Sequence, residues 1–243
     1  LLCEEITPPV TANSSIISFG GDDYAIITNA ASAGHFDFGM NSFTVEAWIY
    51  PTTIDYSDTS VSQAIISRWH GTYNFVLNIR KGRACFVVNT LTLGYEDSRC
   101  VTEGRSFPET VMIMPYVWTH IAGVCDRSAG YLYLYVNGTL VGSLATGTLE
   151  TVTSTASIYL GCLSVSSPGY FFNGSIKQLR IWNGVARTAA QILATKDADN
   201  LSGPTAGWAL TGGSGTTAAG YVTGCPTWTF GPSTAAPSWV TMG

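Results

Sequence analysis

The chain has 243 residues, of which 46% are hydrophobic and 11% are charged, with a formal net charge of −5. A single all-β domain of this length is common and can bury a large core without metal ions. The weak acidic charge excludes a basic surface for nucleic acid. The sequence contains no apolar run of about 18 residues, the length that would be needed to span a membrane.

Apolar and polar residues alternate along most of the chain, which is the pattern of half-buried β-strands. In the first clear case, residues 43–50, the side chains of Phe43, Val45, Ala47 and Ile49 share one face. Similar runs predict further strands, and these are 73–80, 84–90, 118–125, 131–136, 157–161 and 175–182. Many short strands with almost no helix predict an all-β sandwich or barrel.

Three local signals predict how these elements are connected and capped. Residues 118–125 and 131–136 flank a short polar loop that contains glycine, which predicts a hairpin. Asn137-Gly138 then tolerates the positive φ angles of a tight turn. Thr188 can cap a short helix directly after it, and this is the one segment with a helical pattern.

Six scattered cysteines do not match the spacing of a zinc site. They are Cys3, Cys85, Cys100, Cys125, Cys162 and Cys225. They could be buried free thiols of a cytosolic protein, but four N-x-S/T sequons favour an oxidising, extracellular compartment. The sequons are at Asn13, Asn137, Asn173 and Asn200. Among many possible connectivities we expect Cys3–Cys225, Cys85–Cys100 and Cys125–Cys162.

The chain changes character at about residue 200. The segment 200–243 is rich in Gly, Thr, Ser and Ala but contains several large aromatic residues, which pure disorder rarely carries. We therefore divide the chain into a sandwich domain, 1–199, and a C-terminal segment, 200–243, that packs on the same domain or on a neighbour. We expect that segment, or a partner, to cover the outward tyrosines of residues 131–136.

Four stretches in chain order resemble a known family. They are SFGGDDY at 18–24, FTVEAWI at 43–49, WTHIAGV with LYLYVNG within 118–138, and FNGSIKQLRIWN at 172–183. In this order they resemble the laminin G-like jelly roll of the concanavalin A-like lectins and pentraxins. The resemblance implies an all-β jelly-roll sandwich of two antiparallel sheets with one short helix. The C-terminal segment is similar to the stretch that joins neighbouring modules in such proteins.

The resemblance also implies a calcium ion close to Asp22 and Asp23, because relatives often hold one near this position. Calcium takes about six to eight oxygen ligands, so further ligands would have to come from distant loops. The alternative is that both residues only form the turn that starts a strand.

Relatives that bind glycans place polar groups beside aromatic rings, because rings stack on sugar faces while polar groups bond the hydroxyls. Three loops carry that combination here. The candidate residues are Trp69, His70, Tyr73, Tyr95, Asp97 and Tyr170. For each loop taken singly, packing at a sheet edge is the alternative.

Catalytic patterns are absent from the sequence. Glucanases of this superfamily carry paired carboxylates on one strand, whereas Glu46 stands alone in its strand. We therefore predict a secreted, non-catalytic module that binds glycans or glycoproteins. The alternative is a glycosylated structural subunit that self-assembles into an extracellular coat or filament, which the low charge and the C-terminal segment favour.

Overall fold

The computed structural model describes residues 15–28, 34–56, 62–69, 74–88, 112–163, 170–231 and 236–241. Within these ranges the chain forms fifteen strands and one helix. The strands are β1 (Ser15–Gly20), β2 (Tyr24–Ile27), β3 (Phe43–Pro51), β4 (Ser62–Arg68), β5 (Phe75–Arg80), β6 (Arg83–Val88), β7 (Thr119–Asp126), β8 (Tyr131–Val136), β9 (Thr139–Ala145), β10 (Ile158–Leu160), β11 (Asn173–Asn183), β12 (Ala206–Trp208), β13 (Thr217–Ala218), β14 (Trp228–Gly231) and β15 (Ser238–Thr241). The helix, α1, spans Ala189–Thr195.

The strands build two antiparallel sheets. The first has the order β15-β1-β11-β3-β7-β8-β9, with β12 also paired to β11. The second has the order β13-β14-β2-β10-β4-β5-β6. This architecture confirms the predicted class, a jelly-roll sandwich with one short helix. At one end of the first sheet β1 ends at Gly20, β3 ends at Pro51 and β11 begins at Asn173. We call this end the Pro51 rim.

The core lies between the two sheets and follows the predicted alternation. The inward residues of β3, from Phe43 to Ile49, are fully buried, and so are their counterparts on β5 and β8. The sheets approach closely at Gly123 of β7, where an added Cβ would lie 2.3 Å from the ring of Phe86 on β6. Each large apolar side chain that is fully buried contributes about 1.5–3 kcal/mol to stability.

The predicted turn and helix cap are both present. Asn137 and Gly138 have φ angles of 50° and 80°, as a tight turn between β8 and β9 requires. The Thr188 hydroxyl accepts from the backbone N–H of Gln191, and the Gln191 side chain accepts from the backbone N–H of Thr188. This reciprocal capping satisfies two donors that a helix otherwise leaves unpaired.

Helix α1 lies on the outward face of the first sheet. Its Ile192 packs with Ala122, Val124 and Tyr135. The cover over the tyrosines of β8 is therefore α1 at Tyr135, and not the C-terminal segment. Tyr131, at the other end of β8, is 40% exposed.

The sequence pattern missed β4 because this strand does not alternate. Its register shifts between Ala64 and Ile66, and the extra residue of such a bulge turns two successive side chains to one side. Ile65 and Ile66 are consequently both in the core.

The C-terminal segment contributes strands to both sheets. β12 pairs with β11, β14 with β2 and β15 with β1. Trp208 and Trp228 are fully buried with ring centroids 5.5 Å apart. β12, β14 and β15 therefore extend the two sheets of their own chain. Among the described residues no helix has the length and apolar character needed to cross a bilayer.

The expected disulfide between Cys125 and Cys162 is wrong, because both are free thiols. Cys125 lies opposite Phe43, at the end of β3 far from the Pro51 rim. Cys162 follows Gly161, which packs against Phe19 close to that rim. The two sites are separated by nearly the length of β3, about 25 Å, whereas a disulfide requires Cα atoms within about 7 Å.

The expected Cys3–Cys225 pairing is also wrong, since Cys225 is a free thiol. Its Sγ lies 3.8 Å from the carbonyl oxygen of Gly207, within the C-terminal segment, while Cys3 lies outside the described residues. Cys85 is disulfide-bonded. Its expected partner Cys100 also lies outside the described residues, so that pairing stays a prediction.

Candidate functional site

An exposed aromatic ring stands at the Pro51 rim. Tyr116 precedes β7, is 65% exposed and has a φ of 62°. Its backbone N–H donates to the carbonyl of Pro51 at 2.7 Å, which ties this loop to the end of β3. A left-handed backbone at a residue with a side chain costs about 1–2 kcal/mol. The surrounding structure therefore holds Tyr116 in an unfavourable backbone conformation, and its ring is exposed to solvent.

Two further rings support Tyr116. Its ring meets that of Tyr50 edge-to-face at 6.3 Å, and the ring of Tyr50 meets that of Trp118 at 5.3 Å. Tyr50 lies near the end of β3 and Trp118 directly precedes β7, and both pack with the buried side chains of Ile16 and Trp48. We call Tyr50, Tyr116 and Trp118 the aromatic platform.

A cation lies against the buried end of the platform. The Lys177 ammonium of β11 is 4.6 Å from the ring centroid of Trp118. Lys177 is 2% exposed, and this burial lowers its pKa to about 8, although Asp199 and Asp197 act in the opposite direction. The platform thus combines one open ring with one nearly buried positive charge.

Polar side chains lie on the other side of the rim. The Asn173 side-chain carbonyl accepts from the Thr52 hydroxyl at 2.5 Å. Asp23 accepts from the backbone N–H of Gly20 through both carboxylate oxygens, at 3.0 and 3.1 Å. Asp22 next to it is exposed. Burial raises the pKa of Asp23 to about 6.

Asp22 and Asp23, the predicted calcium ligands, are neighbours in the turn between β1 and β2. Among the described residues no three His, Cys, Asp or Glu side chains cluster as metal ligands. Asp22 and Asp23 offer two carboxylates, one of which already caps the backbone of Gly20. Calcium needs about six to eight oxygens, so Asp22 and Asp23 could hold the ion only together with further ligands. Calcium binding stays a prediction.

Two of the predicted glycan residues come together elsewhere. Trp69 and Tyr170 are both half-buried and pack on a small apolar cluster separate from the core. That cluster consists of Ala64, Val76, Cys85, Val87 and Leu163. The other candidates, His70, Tyr73, Tyr95 and Asp97, lie outside the described residues. The role of Trp69 and Tyr170 in glycan binding stays a prediction.

The sequons differ in exposure. Asn137 and Asn200 are exposed, whereas Asn173 is half-buried at the Pro51 rim. The side-chain oxygen of Asn137 accepts from the backbone N–H of His120 at 2.9 Å, so its amide nitrogen is the free end. Asn13 lies outside the described residues.

Glu46, the single carboxylate of β3, is fully buried beneath α1. It accepts from Arg180 at 3.2 Å and from Arg187 at 3.0 Å. His120 is 3.8 Å away and its pKa is lowered well below the usual value, first by burial and then by the nearby cations. Both carboxylate oxygens of Glu46 are therefore engaged in buried ion pairs between β3, β11 and the segment before α1.

A narrow cleft on the second sheet has a volume of about 170 Å³. Its lining is Ile54, Asp55, Gln63, Ile79 and Lys81. Ligand pockets usually measure about 300–1,000 Å³, so this cleft is smaller than a usual ligand pocket. The exposed platform is the better candidate.

The sequence did contain a signal for the platform that periodicity could not interpret. Residues 112–118, MIMPYVW, form an apolar run interrupted by proline directly before a strand. Such a run would ordinarily be assigned to the core. Here Met114, Tyr116 and Val117 are all exposed.

One family model covers most of the chain. Residues 19–193 match the family model of the concanavalin A-like lectin/glucanases superfamily. The chain belongs to this superfamily. No curated protein matches the chain.

Several solved structures share the fold at low identity. A protein from Bacteroides ovatus, to which carbohydrate binding has been ascribed, is 20% identical with a TM-score of 0.64. The match covers 91% of this chain and 58% of that one, so the chain spans little more than half of the Bacteroides protein.

Two other structures match at similar levels. The CBM40 of the Ruminococcus gnavus IT-sialidase, solved with α2,3-sialyllactose, is 17% identical over 74% of this chain and 95% of that one, with a TM-score of 0.54. A heptameric SAP-like pentraxin from Limulus polyphemus is 15% identical over 76% and 82%, with a TM-score of 0.52. At these identities the likeness shows the fold.

Proposed function

We propose that the chain is a non-catalytic carbohydrate-binding module that holds a sugar on the aromatic platform. The observation that carries this proposal is the ring of Tyr116, 65% exposed and held at a φ of 62° beside two further rings. A sugar ring presents an apolar C–H face that stacks on an aromatic ring, while polar groups nearby bond its hydroxyls.

The open geometry sets the strength and kind of binding. One exposed ring with a few polar neighbours buries a small area, so we expect about −4 to −6 kcal/mol, or Kd values from millimolar to tens of micromolar. Tyr50 and Trp118 add little direct contact because they are more buried. Their role is to hold the exposed ring in place.

Two of the similar structures support a carbohydrate ligand through their descriptions as a carbohydrate-binding protein and a sialyllactose-bound module. The absence of catalysis is supported by Glu46, since a carboxylate buried between two guanidinium groups cannot contact a glycosidic bond. Glycosidases require two carboxylates that flank the bond.

We place the protein outside the cell, as a glycoprotein. The disulfide bond of Cys85 and the exposed sequons Asn137 and Asn200 support an oxidising, secretory route. Self-assembly into a coat or filament is the weaker alternative, because β15 pairs with β1 of its own chain. Sedimentation velocity over a wide concentration range tests that alternative.

A glycan array followed by titration of the hits tests the proposal. Tyr116→Asn removes the ring, and asparagine tolerates the positive φ. We expect the variant to lose at least tenfold in affinity while its unfolding free energy stays within about 1 kcal/mol of the native value. The matched control is Tyr131→Thr, which removes a half-exposed tyrosine from the far end of the same sheet. Equal losses in both variants, or no binding by the native protein, would contradict the proposal.

A further inference from the structure

Three asparagines of the chain, Asn137, Asn173 and Asn183, are each followed by glycine. In such a pair the glycine nitrogen has no neighbouring side chain to shield it, and it can attack the side-chain carbonyl carbon of the asparagine. A succinimide ring forms, and the side-chain nitrogen leaves as ammonia with the proton of the glycine N–H. Water then opens the ring at either carbonyl, which leaves aspartate or isoaspartate. The three sites are the same dipeptide, so a difference in reactivity between them has to come from the fold.

Asn173 is held within the first sheet. Gly174, which follows it, lies in β11 and pairs with Phe19 of β1 on one side and with Pro51 of β3 on the other. An added Cβ at Gly174 would collide with the carbonyl oxygen of Tyr50, so the backbones are tightly packed here. Ring closure requires rotation of the backbone between the two residues, and at this site pairing on both sides would have to break first.

Asn183 is restrained by hydrogen bonds on both reacting groups. The N–H of Gly184, which contains the attacking nitrogen, donates to the carbonyl of Ser42 at 2.8 Å. The side-chain nitrogen of Asn183, which would leave, donates to the carbonyls of Asp37 at 3.2 Å and Gly34 at 3.4 Å. In the folded protein neither group is available for the reaction.

Asn137 differs from the other two in its hydrogen bonds. Its side chain is exposed, and its side-chain oxygen accepts from the backbone N–H of His120 at 2.9 Å, which leaves the side-chain nitrogen free. Within the described part of the chain the N–H of Gly138 has no hydrogen-bond acceptor. The bond from His120 also stabilises the negative charge that develops on the side-chain oxygen during the attack.

The position of the turn also favours local opening. Asn137 and Gly138 join β8 to β9, and β9 is the edge strand of the first sheet, so opening breaks pairing on one side only. One side chain restrains the turn: an added Cβ at Gly138 would lie 2.8 Å from Cδ1 of Leu193 on α1. Leu193 is itself 56% exposed. Openings of this kind need far less free energy than global unfolding.

We propose that Asn137 is a site of spontaneous deamidation, at which the nitrogen of Gly138 displaces ammonia and the folded chain acquires aspartate or isoaspartate. The site is independent of the platform and of its proposed sugar. Isoaspartate adds a methylene to the backbone of a two-residue turn, and either product adds a negative charge beside β9. The side-chain nitrogen of Asn137 is also the acceptor of its sequon, so deamidation and glycosylation compete for the same residue.

The experiment uses the native sequence made in a bacterial host, which leaves the sequons without sugar. The folded protein is kept at neutral pH and body temperature, and peptide mass spectrometry follows the conversion of each asparagine. We expect Asn137 to convert at least about tenfold faster than Asn173 and Asn183. In the denatured chain the three rates should agree within about threefold, because the local dipeptide is the same. Labelling by isoaspartyl methyltransferase detects the isoaspartate product.

Two variants test whether the reaction passes through opening of the turn. Leu193→Ala removes the side chain that packs on Gly138 and should speed the conversion of Asn137 by about two- to fivefold. Val185→Ala is the matched control, since it shortens another exposed aliphatic side chain close to Asn183. It should leave the conversion rate of Asn137 unchanged.

Several outcomes would overturn the proposal. Equal rates at the three sites of the folded protein, or faster conversion at Asn173 or Asn183, would contradict it. So would an intact Asn137 in the folded protein after the denatured chain has been fully converted. Aspartate without isoaspartate would exclude attack by Gly138, and a native rate in Leu193→Ala would exclude opening of the turn as the route.

Discussion

Arg187 donates to both carboxylate oxygens of Glu46, at 3.0 and 3.2 Å, across 141 residues of sequence. The same carboxylate accepts from Arg180 of β11. Because Arg187 directly precedes the cap of α1, this charge cluster fastens the helix to the outward face of the first sheet. Removing this charge cluster should therefore lower the stability of the fold.

Glu46→Gln should lower the unfolding free energy by about 3 kcal/mol, because it leaves two buried guanidinium groups without a counter-charge. Urea denaturation followed by tryptophan fluorescence measures this. Glu150→Gln, at an exposed carboxylate, is the matched control and should change stability by less than about 0.5 kcal/mol. An equal, small effect in both variants would show that the cluster is not structural.

Asp23 should give a pH-dependent effect. Burial raises its pKa from 3.8 to about 6, so the folded state binds its proton more tightly than the unfolded state. The resulting stability is fully present below about pH 4 and is lost as the pH rises through 6. Asp23→Asn should therefore be more stable than the native protein at pH 7, by about 1–3 kcal/mol, with the difference vanishing near pH 4.

Denaturation curves of both proteins between pH 4 and 7 measure this difference, with Asp22→Asn as the exposed control. The same pair of proteins tests calcium. A calcium ion on Asp23 would favour the carboxylate and reverse the sign at pH 7. A calcium-dependent gain in the native protein that Asp23→Asn lacks would establish the predicted ion.

The free cysteines should resist modification in the folded protein. Burial raises the pKa of Cys125, Cys162 and Cys225 to about 12, and a thiol rather than a thiolate reacts slowly. In the absence of reductant, iodoacetamide should label these three cysteines only when the protein is denatured. Cys85 should be labelled only after a reductant has been added. A disulfide-linked peptide that joins Cys125 to Cys162 would be incompatible with the fold.

Glycan occupancy should follow exposure when the protein is secreted from a eukaryotic cell. We expect sugar on Asn137 and Asn200, and little or none on Asn173, whose side-chain oxygen bonds Thr52. Enzymatic deglycosylation in water enriched in the heavy oxygen isotope marks each formerly glycosylated asparagine, and peptide mass spectrometry then measures the occupancy of each site. Full occupancy at Asn173 would show that the Pro51 rim is covered by sugar, and would argue against the platform as a binding site.

Local patterns were sufficient for seven of the fifteen strands, because apolar side chains alternate along them. The alternation of β3, β5 and β8 predicted which side chains enter the core, and the Asn137-Gly138 turn and the Thr188 cap depend on neighbours within a few residues. β4 was missed because its bulge breaks the period of two. A bulge depends on the partner strand, which local sequence does not reveal.

Long-range partners were predicted poorly. Cys125 and Cys162 looked like neighbours on adjacent strands, but they lie near opposite ends of the sandwich. Glu46 looked solitary because its partners Arg180 and Arg187 follow more than 130 residues later. Spacing along the chain carries no information about which strand ends meet.

The sequence by itself determined the all-β class, the residues of the core and the resemblance to a sugar-binding superfamily, because side-chain alternation and turn preferences act over a few residues. Only the tertiary structure decided the candidate site. Tyr50, Tyr116 and Lys177 come from three separate segments and meet because β3 pairs with β7 on one side and with β11 on the other. The exposure of one ring and the burial of one charge are properties of that assembled surface.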